Sequence, residues 1–330
     1  MVDVIIIGAG PIGLACGIEI KRAGLTHLIL EKGALLNSFV HYPTNLELFS
    51  TPDLLEIGGH PFPCRGHKPT REEALEYYRK VAKAENLSIH LYEPVQKITG
   101  TDGAFRVHTP RATYETRKII VATGFFDVPN LLNVPGEDLP KVTHYYREPY
   151  PYAFRKVAVI GAKNSAAKAA LDCHRHDAEV TLIVRGPAIS EKVKYWIKPA
   201  LENRIREGAI RAYFNSTVTA ITPEHLHIRT PEGPVVLEND VVLAMTGYQP
   251  DYRFLGQLGI TFHDDPHQTP IYDPKTMETE RKGVYLAGVV CGGKNTSTWF
   301  IENSRIHAAL IAEHIRQTLA TATSAFRERP

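Results

Sequence analysis

The chain has 330 residues, of which 43% are hydrophobic and 22% charged, with a formal net charge of +2. That length suits two domains of ordinary size, and the composition suits a soluble globular fold with real cores. The small net charge argues against nucleic-acid or membrane-surface partners, and no apolar run approaches the roughly 18 residues that span a bilayer.

The first strand is expected at Asp3–Ile7 (DVIII), almost at the initiator methionine, so no targeting peptide is expected. GAGPIG follows, with Gly8, Gly10 and Gly13, then a helical stretch from Leu14 to Ala23 and a second strand, HLILEK. Glycines at this spacing allow a tight turn, close approach of a pyrophosphate to backbone N–H groups, and close helix–strand packing. Glu31 ends the second strand at about the distance expected for an acid that binds a ribose. An acid there favours a free ribose hydroxyl over a 2′-phosphate, so this half is expected to hold FAD or NAD.

PTREEALEYYRKVAKAEN (69–86) reads as an amphipathic helix with a Thr70–Glu73 capping box, burying Leu75, Tyr78 and Val81. Arg65, His67, Lys68 and Arg71 form a basic cluster at its start, either a rim for an acidic substrate or a solvated set of charges. IIVATGFFDVP (119–129) and VVLAMTGYQPD (241–251) are each a strand ending in Thr-Gly. Thr123–Gly124 and Thr246–Gly247 are expected to mark where the chain leaves each nucleotide domain.

Between them the βαβ frame repeats. KVAVI leads to GAKNSA (161–166), an alanine-rich helix from Ser165 to His174, and the strand EVTLIVRG. Lys163 stands at the middle glycine and Ala166 at the third. A lysine is accommodated if the turn opens slightly, and an ammonium near a pyrophosphate is favourable. This second strand ends in Arg185, not an acid. Arginine there accommodates the 2′-phosphate of NADP; the alternative is a solvated surface charge. GVYLAG (283–288) is a further buried strand, followed by a helix from about Ser297 with Ile306, Leu310, Ile315 and Leu319 as its apolar stripe. Thr296, Ser297 and Thr298 sit at its expected start and either cap it over a flavin or cap it as an ordinary surface helix.

The four cysteines, Cys16, Cys64, Cys173 and Cys291, form no C-x-x-C pair and no metal-ligand spacing, so no metal is expected and a reducing cytosol fits. His41, His144 and His307 show no partner pattern that supports catalysis.

The pattern resembles the low-molecular-weight thioredoxin reductase class of FAD/NADPH flavoproteins, and within it the YpdA-type family of bacillithiol disulfide reductases. GAGPIG, FSTPDLLEIG (49–58), PTREEALEYYR (69–79), GAKNSA (161–166) and AGVVCGGKNTSTWFIEN (287–303) carry the likeness across nearly the whole chain. It implies an α/β fold of two Rossmann-like FAD/NAD(P)-binding domains, thioredoxin-reductase-like, with the NADPH domain inserted in the FAD domain. The expected bounds are 1–135 and 250–330 for FAD and 136–249 for NADPH. The expected cofactor-binding residues are Gly8, Gly10, Pro11, Ile12, Gly13, Glu31, Lys32, Ser50, Val95, Ala122, Thr123, Gly124, Gly161, Lys163, Asn164, Ser165, Ala166, Arg185, Gly247, Gly288, Val289 and Thr298. The resemblance also implies a cytoplasmic homo-oligomer, dimer or tetramer, acting in redox homeostasis on a small-molecule thiol disulfide.

Three departures from the related patterns stand out. Thioredoxin reductases carry C-x-x-C just before the second fingerprint, where this chain reads HYYREPYPYAFRK. Many family members have cysteine before the third glycine of the first fingerprint, where this chain has Ile12. Related flavoproteins place aspartate after the glycine at 288; here it is Val289, which leaves only its backbone to contribute. Cys291 is then the cysteine expected nearest the cofactor, either a redox thiol with its pKa lowered by a helix N-terminus or an inert buried side chain. Three other readings remain. A ferredoxin–NADP reductase also lacks C-x-x-C, though a C-terminal extension over the flavin is expected of it and the tail after Leu319 is short. A flavin monooxygenase needs F-x-G-x-x-x-H, which DLPKVTH (138–144) misses at Asp138 and Pro140. A nucleotide-binding redox sensor without turnover is the third.

Overall fold

A computed structural model describes residues 1–327, with side-chain detail to residue 321. The described chain divides into two compact units: residues 1–40, 46–128 and 248–327 form one, and residues 41–45 and 129–247 form the other.

The first unit opens with β1 (Val2–Ile7), α1 (Pro11–Arg22) and β2 (His27–Leu30). Pro11 takes the first helical position, where its missing N–H costs nothing. α2 (Arg71–Ala84) carries the expected capping box: the Thr70 hydroxyl accepts from the Glu73 amide, and the Glu73 carboxylate accepts from the Thr70 amide at 2.8 Å. Its buried face is Ala74, Tyr77, Tyr78 and Val81, while Leu75 is only half-buried. Both tyrosines are core, as the sequence suggests, and the Tyr78 hydroxyl donates to the Leu55 carbonyl at 2.8 Å.

β3 (Ile89–His90) extends the sheet beyond β2. β4 (Lys97–Thr101), β5 (Ala104–His108) and β6 (Thr113–Val121) form an antiparallel meander. The far half of β6 returns as a parallel strand beside β1, with Ile5 opposite Ile119 and Ile7 opposite Val121. β1 is therefore flanked by parallel strands on both sides. Val4, Ile5 and Ile6 are completely buried, which is why this strand reads as an unbroken apolar run.

The second unit repeats the frame. β7 (Val142–Thr143), β8 (Lys156–Ile160), α3 (Asn164–Arg175), β9 (Glu179–Ile183), α4 (Lys198–Arg206) and β10 (Arg211–Tyr213) build a parallel sheet with central β8. β11 (Thr217–Ile221), β12 (His225–Thr230) and β13 (Gly233–Glu238) make a second antiparallel meander. β14 (Val241–Ala244) then completes the parallel sheet against β8. Residues 41–45 join this unit through Thr44, whose amide donates to the Arg147 carbonyl at 2.9 Å, and Asn45, which donates to Asp172 at 3.0 Å.

The chain returns to the first unit with β15 (Val284–Leu286), parallel to β6, then α5 (Ile301–Ser304) and α6 (Ile306–Arg327). The final helix starts later than Ser297, and its buried stripe differs from the expected one. His307, Ala308, Ile311, Ala312, Ile315 and Leu319 are buried, whereas Ile306 is 58% exposed and Leu310 half-buried. The positions 307, 311, 315 and 319, in steps of four, face the core, which turns Ile306 outward. Among the described residues no helix is long and apolar enough to cross a membrane.

Candidate functional site

In the first unit, the three glycines of the β1–α1 turn have separable reasons to be glycine. Gly8 has φ +109°, and a Cβ there lies 2.6 Å from the Ala122 carbonyl oxygen at the end of β6. A Cβ on Gly13 lies 1.9 Å from the Gly8 carbonyl oxygen. Both therefore serve close packing within the protein. Gly10 has an ordinary φ of −77°, and no protein atom lies within 4 Å of where its Cβ would be. Neither backbone nor neighbours demand glycine there, and the space beside the main chain is left open. The amides of Ile12 and Gly13 belong to the helix's first turn, which lacks intrahelical acceptors, and the dipole favours an anion there. This turn fits the pyrophosphate of a dinucleotide.

Glu31 is buried, and its two carboxylate oxygens accept from the Ala9 amide at 2.8 Å and the Gly33 amide at 2.9 Å. Burial raises its pKa, against the pull of these two amides. Each oxygen retains a lone pair, so the acid that braces the turn can still accept from a ribose hydroxyl. Lys32 is exposed and paired with Asp127 at 2.8 Å. Ala122 meets the turn directly, since its amide donates to the Ile7 carbonyl at 2.9 Å. Thr123 and Gly124, at φ +71°, follow it, and Val95 is half-buried just before β4.

The C-terminal segment comes to the same turn. The Ala287 amide donates to Val121 at 3.0 Å, and Gly288 adopts φ +84°. A Cβ on Gly288 lies 3.3–3.4 Å from three atoms of Ile12. Gly288 and Val289 open a single 3₁₀ turn that ends at Gly292. Ser50 donates to Glu302 on α5. Thr298 does not cap the final helix. The amide before α5, that of Phe300, is held by the Asn303 side chain at 2.7 Å, and the same carboxamide donates to the Thr298 carbonyl at 2.9 Å. The cap expected at Thr296–Thr298 is supplied instead from inside the helix.

In the second unit Gly161, at φ +140°, repeats Gly8: a Cβ there lies 2.5 Å from the Met245 carbonyl oxygen. Lys163 occupies the place of Gly10 with an extended φ of −105°, so lysine enters without backbone strain. Its side chain is exposed. Ala166 is buried where Gly13 stands in the first turn. Asn164 and Ser165 open α3, but the Asn164 side chain is committed to the protein: it donates to the Lys192 carbonyl at 3.1 Å and accepts from the Lys194 amide at 3.0 Å. Arg185 is exposed just beyond β9, with no hydrogen bond or ion pair among the described residues. An exposed guanidinium at a strand end, beside a turn of this kind, fits a phosphorylated ribose. Gly247, at φ +90°, closes this unit, and its carbonyl accepts from the Asn130 amide at 2.9 Å.

The structure bears on the alternatives left open at Cys291 and at Arg71. Cys291 is 1% exposed, and burial, with a further push from Cys16, raises its pKa well above the usual thiol range. The expected lowering by a helix N-terminus does not occur. Cys16, also buried, is pushed up to about 12, and Cys173 is likewise buried. Arg71 is no part of an exposed basic rim: it is buried, donating to the Phe39 and Val40 carbonyls at 2.7 and 2.8 Å. His307, which has no motif around it, packs against the Gly288 turn. Its Nδ1 accepts from the Gly288 amide at 3.1 Å and lies 3.9 Å from the Cys291 sulfur. Only the fold brings residues 19 positions apart into this contact. Among the described residues no cluster of His, Cys, Asp or Glu could hold a metal ion.

Residues 5–288 match the model of a protein family described as pyridine nucleotide-disulphide oxidoreductase. The chain belongs to that family. It is 43% identical over 313 residues to the bacilliredoxin reductase Bdr of Bacillus subtilis, covering 94% of this chain and 96% of that one. It also superposes on the bacillithiol disulfide reductase Bdr (YpdA) of Bacillus cereus with a TM-score of 0.94 at 39% identity, covering 96% and 99% of the two chains. The thioredoxin reductase of T. acidophilum shares the fold at 21% identity and a TM-score of 0.74, over 97% and 99%. The thioredoxin-reductase-like α/β class expected from the sequence is the one found.

The contrast between Gly10 and Gly13 gives a prediction within one helix turn. Gly13→Ala is expected to cost about 2–3 kcal/mol of stability by overpacking. Gly10→Ala is expected to change stability by less than about 0.5 kcal/mol, because its Cβ meets nothing, yet to abolish flavin retention. Chemical denaturation and the flavin content of each purified variant check both.

Proposed function

We propose that the protein is an FAD-dependent NADPH oxidoreductase that reduces the disulfide of a low-molecular-weight thiol, bacillithiol disulfide. What carries this reading is the contrast between its two turns: one leaves room for a ligand at Gly10 and ends in an acid, the other ends in an exposed Arg185. The acceptor follows from the names of relatives at 43% and 39% identity. One observation favours a second acceptor, since the B. subtilis relative is named for reducing a bacilliredoxin. Assays with each disulfide, beside ferredoxin and oxygen, separate these outcomes.

In this reading residues 1–135 and 250–330 hold FAD, and residues 136–249 receive NADPH. The amides of the first turn and of α1 bind the FAD pyrophosphate, Glu31 its ribose, and the segments at Ser50, Val95, Ala122–Gly124, Gly288–Val289 and Thr298 line the remainder. Gly161, Lys163 and the amides that open α3 bind the NADPH pyrophosphate, with Arg185 on the 2′-phosphate. The chemistry that FAD supplies when bound is two-electron transfer, hydride in from NADPH and electrons out to the disulfide. The protein's own part is to bind, to orient and to exclude water. The family likeness alone supports a cytosolic homo-oligomer.

No cysteine is needed as a relay. A redox thiol must be reachable as thiolate, and Cys291 is buried with its thiol form favoured. Cys291→Ser is therefore expected to keep both NADPH-driven flavin reduction and disulfide turnover within about twofold of wild type, as a near-isosteric change does. Turnover lost while flavin reduction stays intact restores the thiol role. Arg185→Ala is expected to raise KM for NADPH roughly tenfold or more, the worth of a charge-assisted contact, and to leave KM for NADH nearly unchanged. Equal effects on the two reductants contradict the phosphate assignment.

A further inference from the structure

We infer that His307 is a positioning residue for the flavin: its imidazole holds the Gly288–Gly292 turn and the Trp299 segment in fixed relation to the first glycine turn. The inference rests on the FAD reading above and names a residue that the reading does not use.

Three contacts converge on this one ring. Nδ1 accepts from the Gly288 amide at 3.1 Å, the Cys291 sulfur lies at 3.9 Å, and the Trp299 ring meets the imidazole edge-on, with centroids 4.6 Å apart at 75°. The ring is 2% exposed, so nothing from solvent replaces the bond. An imidazole that accepts at Nδ1 carries its proton on Nε2 and is neutral, and burial lowers its pKa to about 4, which keeps it so.

The bond matters because of what Gly288 touches. With φ +84° it is held in the left-handed region, and its vacant Cβ position faces Ile12 at 3.3–3.4 Å. The spacing between the fingerprint turn and the 3₁₀ turn is thus set where His307 grips the backbone. Trp299 extends the effect. The Cβ position of Gly292 lies 3.4 Å from Trp299 and 3.5 Å from Thr298, so the turn, the tryptophan and Thr298 pack as one body. His307 sits on α6, a long helix whose buried residues Ala308, Ile311 and Ile315 anchor it in the core. One ring thereby ties the Gly288–Val289 and Thr298 segments to a rigid element, as a precise site requires.

Two substitutions test this. His307→Phe fills the space but accepts no hydrogen bond; His307→Asn offers Oδ1 as an acceptor. The Phe variant is expected to bind FAD roughly tenfold more weakly, as a buried amide left unpaired implies, and to shift the visible spectrum and midpoint potential of the flavin. The Asn variant is expected to restore all three toward wild type, with both flavin-free variants melting alike. A Phe variant with wild-type FAD affinity, spectrum and potential overturns the inference, as does an Asn variant as weak as Phe. If the Phe variant does not fold, amide hydrogen exchange at Gly288 in the Asn variant decides: protection as in wild type is expected, and its loss overturns the inference. Wild-type protein that takes up no FAD brings down the underlying reading instead, and that failure is visible before any variant is made.

Discussion

The turn from β1 into α1 exists only because positions 8 and 13 carry no Cβ. With side chains there, the Gly8 backbone collides with Ala122 on one side and with the start of α1 on the other. Their absence lets three elements meet at van der Waals distance: the strand, the helix N-terminus and the end of β6. The amides that open α1 are left without intrahelical acceptors. Glu31 adds a second constraint, bracing the turn through Ala9 and Gly33 while burial works against its own charge. A buried carboxylate with two strong donors is tolerated because the donors compensate much of its desolvation.

The second turn shows which parts of this device are obligatory. Gly161 is kept, because φ +140° and the Met245 carbonyl leave no alternative. The middle position is relaxed to Lys163, because its backbone is ordinary and the side chain is free to lie outward. The third becomes a buried alanine. Asn164 takes on a different task, clamping the 192–194 backbone to the start of α3. The two turns thus share a frame and differ in the groups they carry: acid against arginine, open space against ammonium.

Much of this is legible in the sequence because it is local. Glycine spacing, apolar runs of strand length and a Thr-x-x-Glu box each express a short-range rule, and all appear at the expected places to within a few residues. The features that escape are those decided by distant partners. The meanders at 97–121 and 217–238 depend on which strands pair with which, a choice made between distant segments. Arg71 reads as a surface charge until the Phe39 and Val40 carbonyls appear beside it. The helix cap at Phe300 comes from Asn303, and Ile306 is turned away from the core that Ile315 and Leu319 enter. Cys291 keeps a place near the turn but is buried with its pKa raised, which no motif reports. His307 has no sequence signal at all; its partner is a backbone amide on another segment.

The central claim is that one chain carries a flavin held at its first glycine turn and receives a phosphorylated reductant at its second. Anaerobic rapid mixing of the purified protein with NADPH or NADH, followed by flavin absorbance, tests it most directly. The account predicts a yellow protein that bleaches faster with NADPH than with NADH. A colourless protein that takes up no flavin on reconstitution, or one that bleaches equally fast with both, contradicts it.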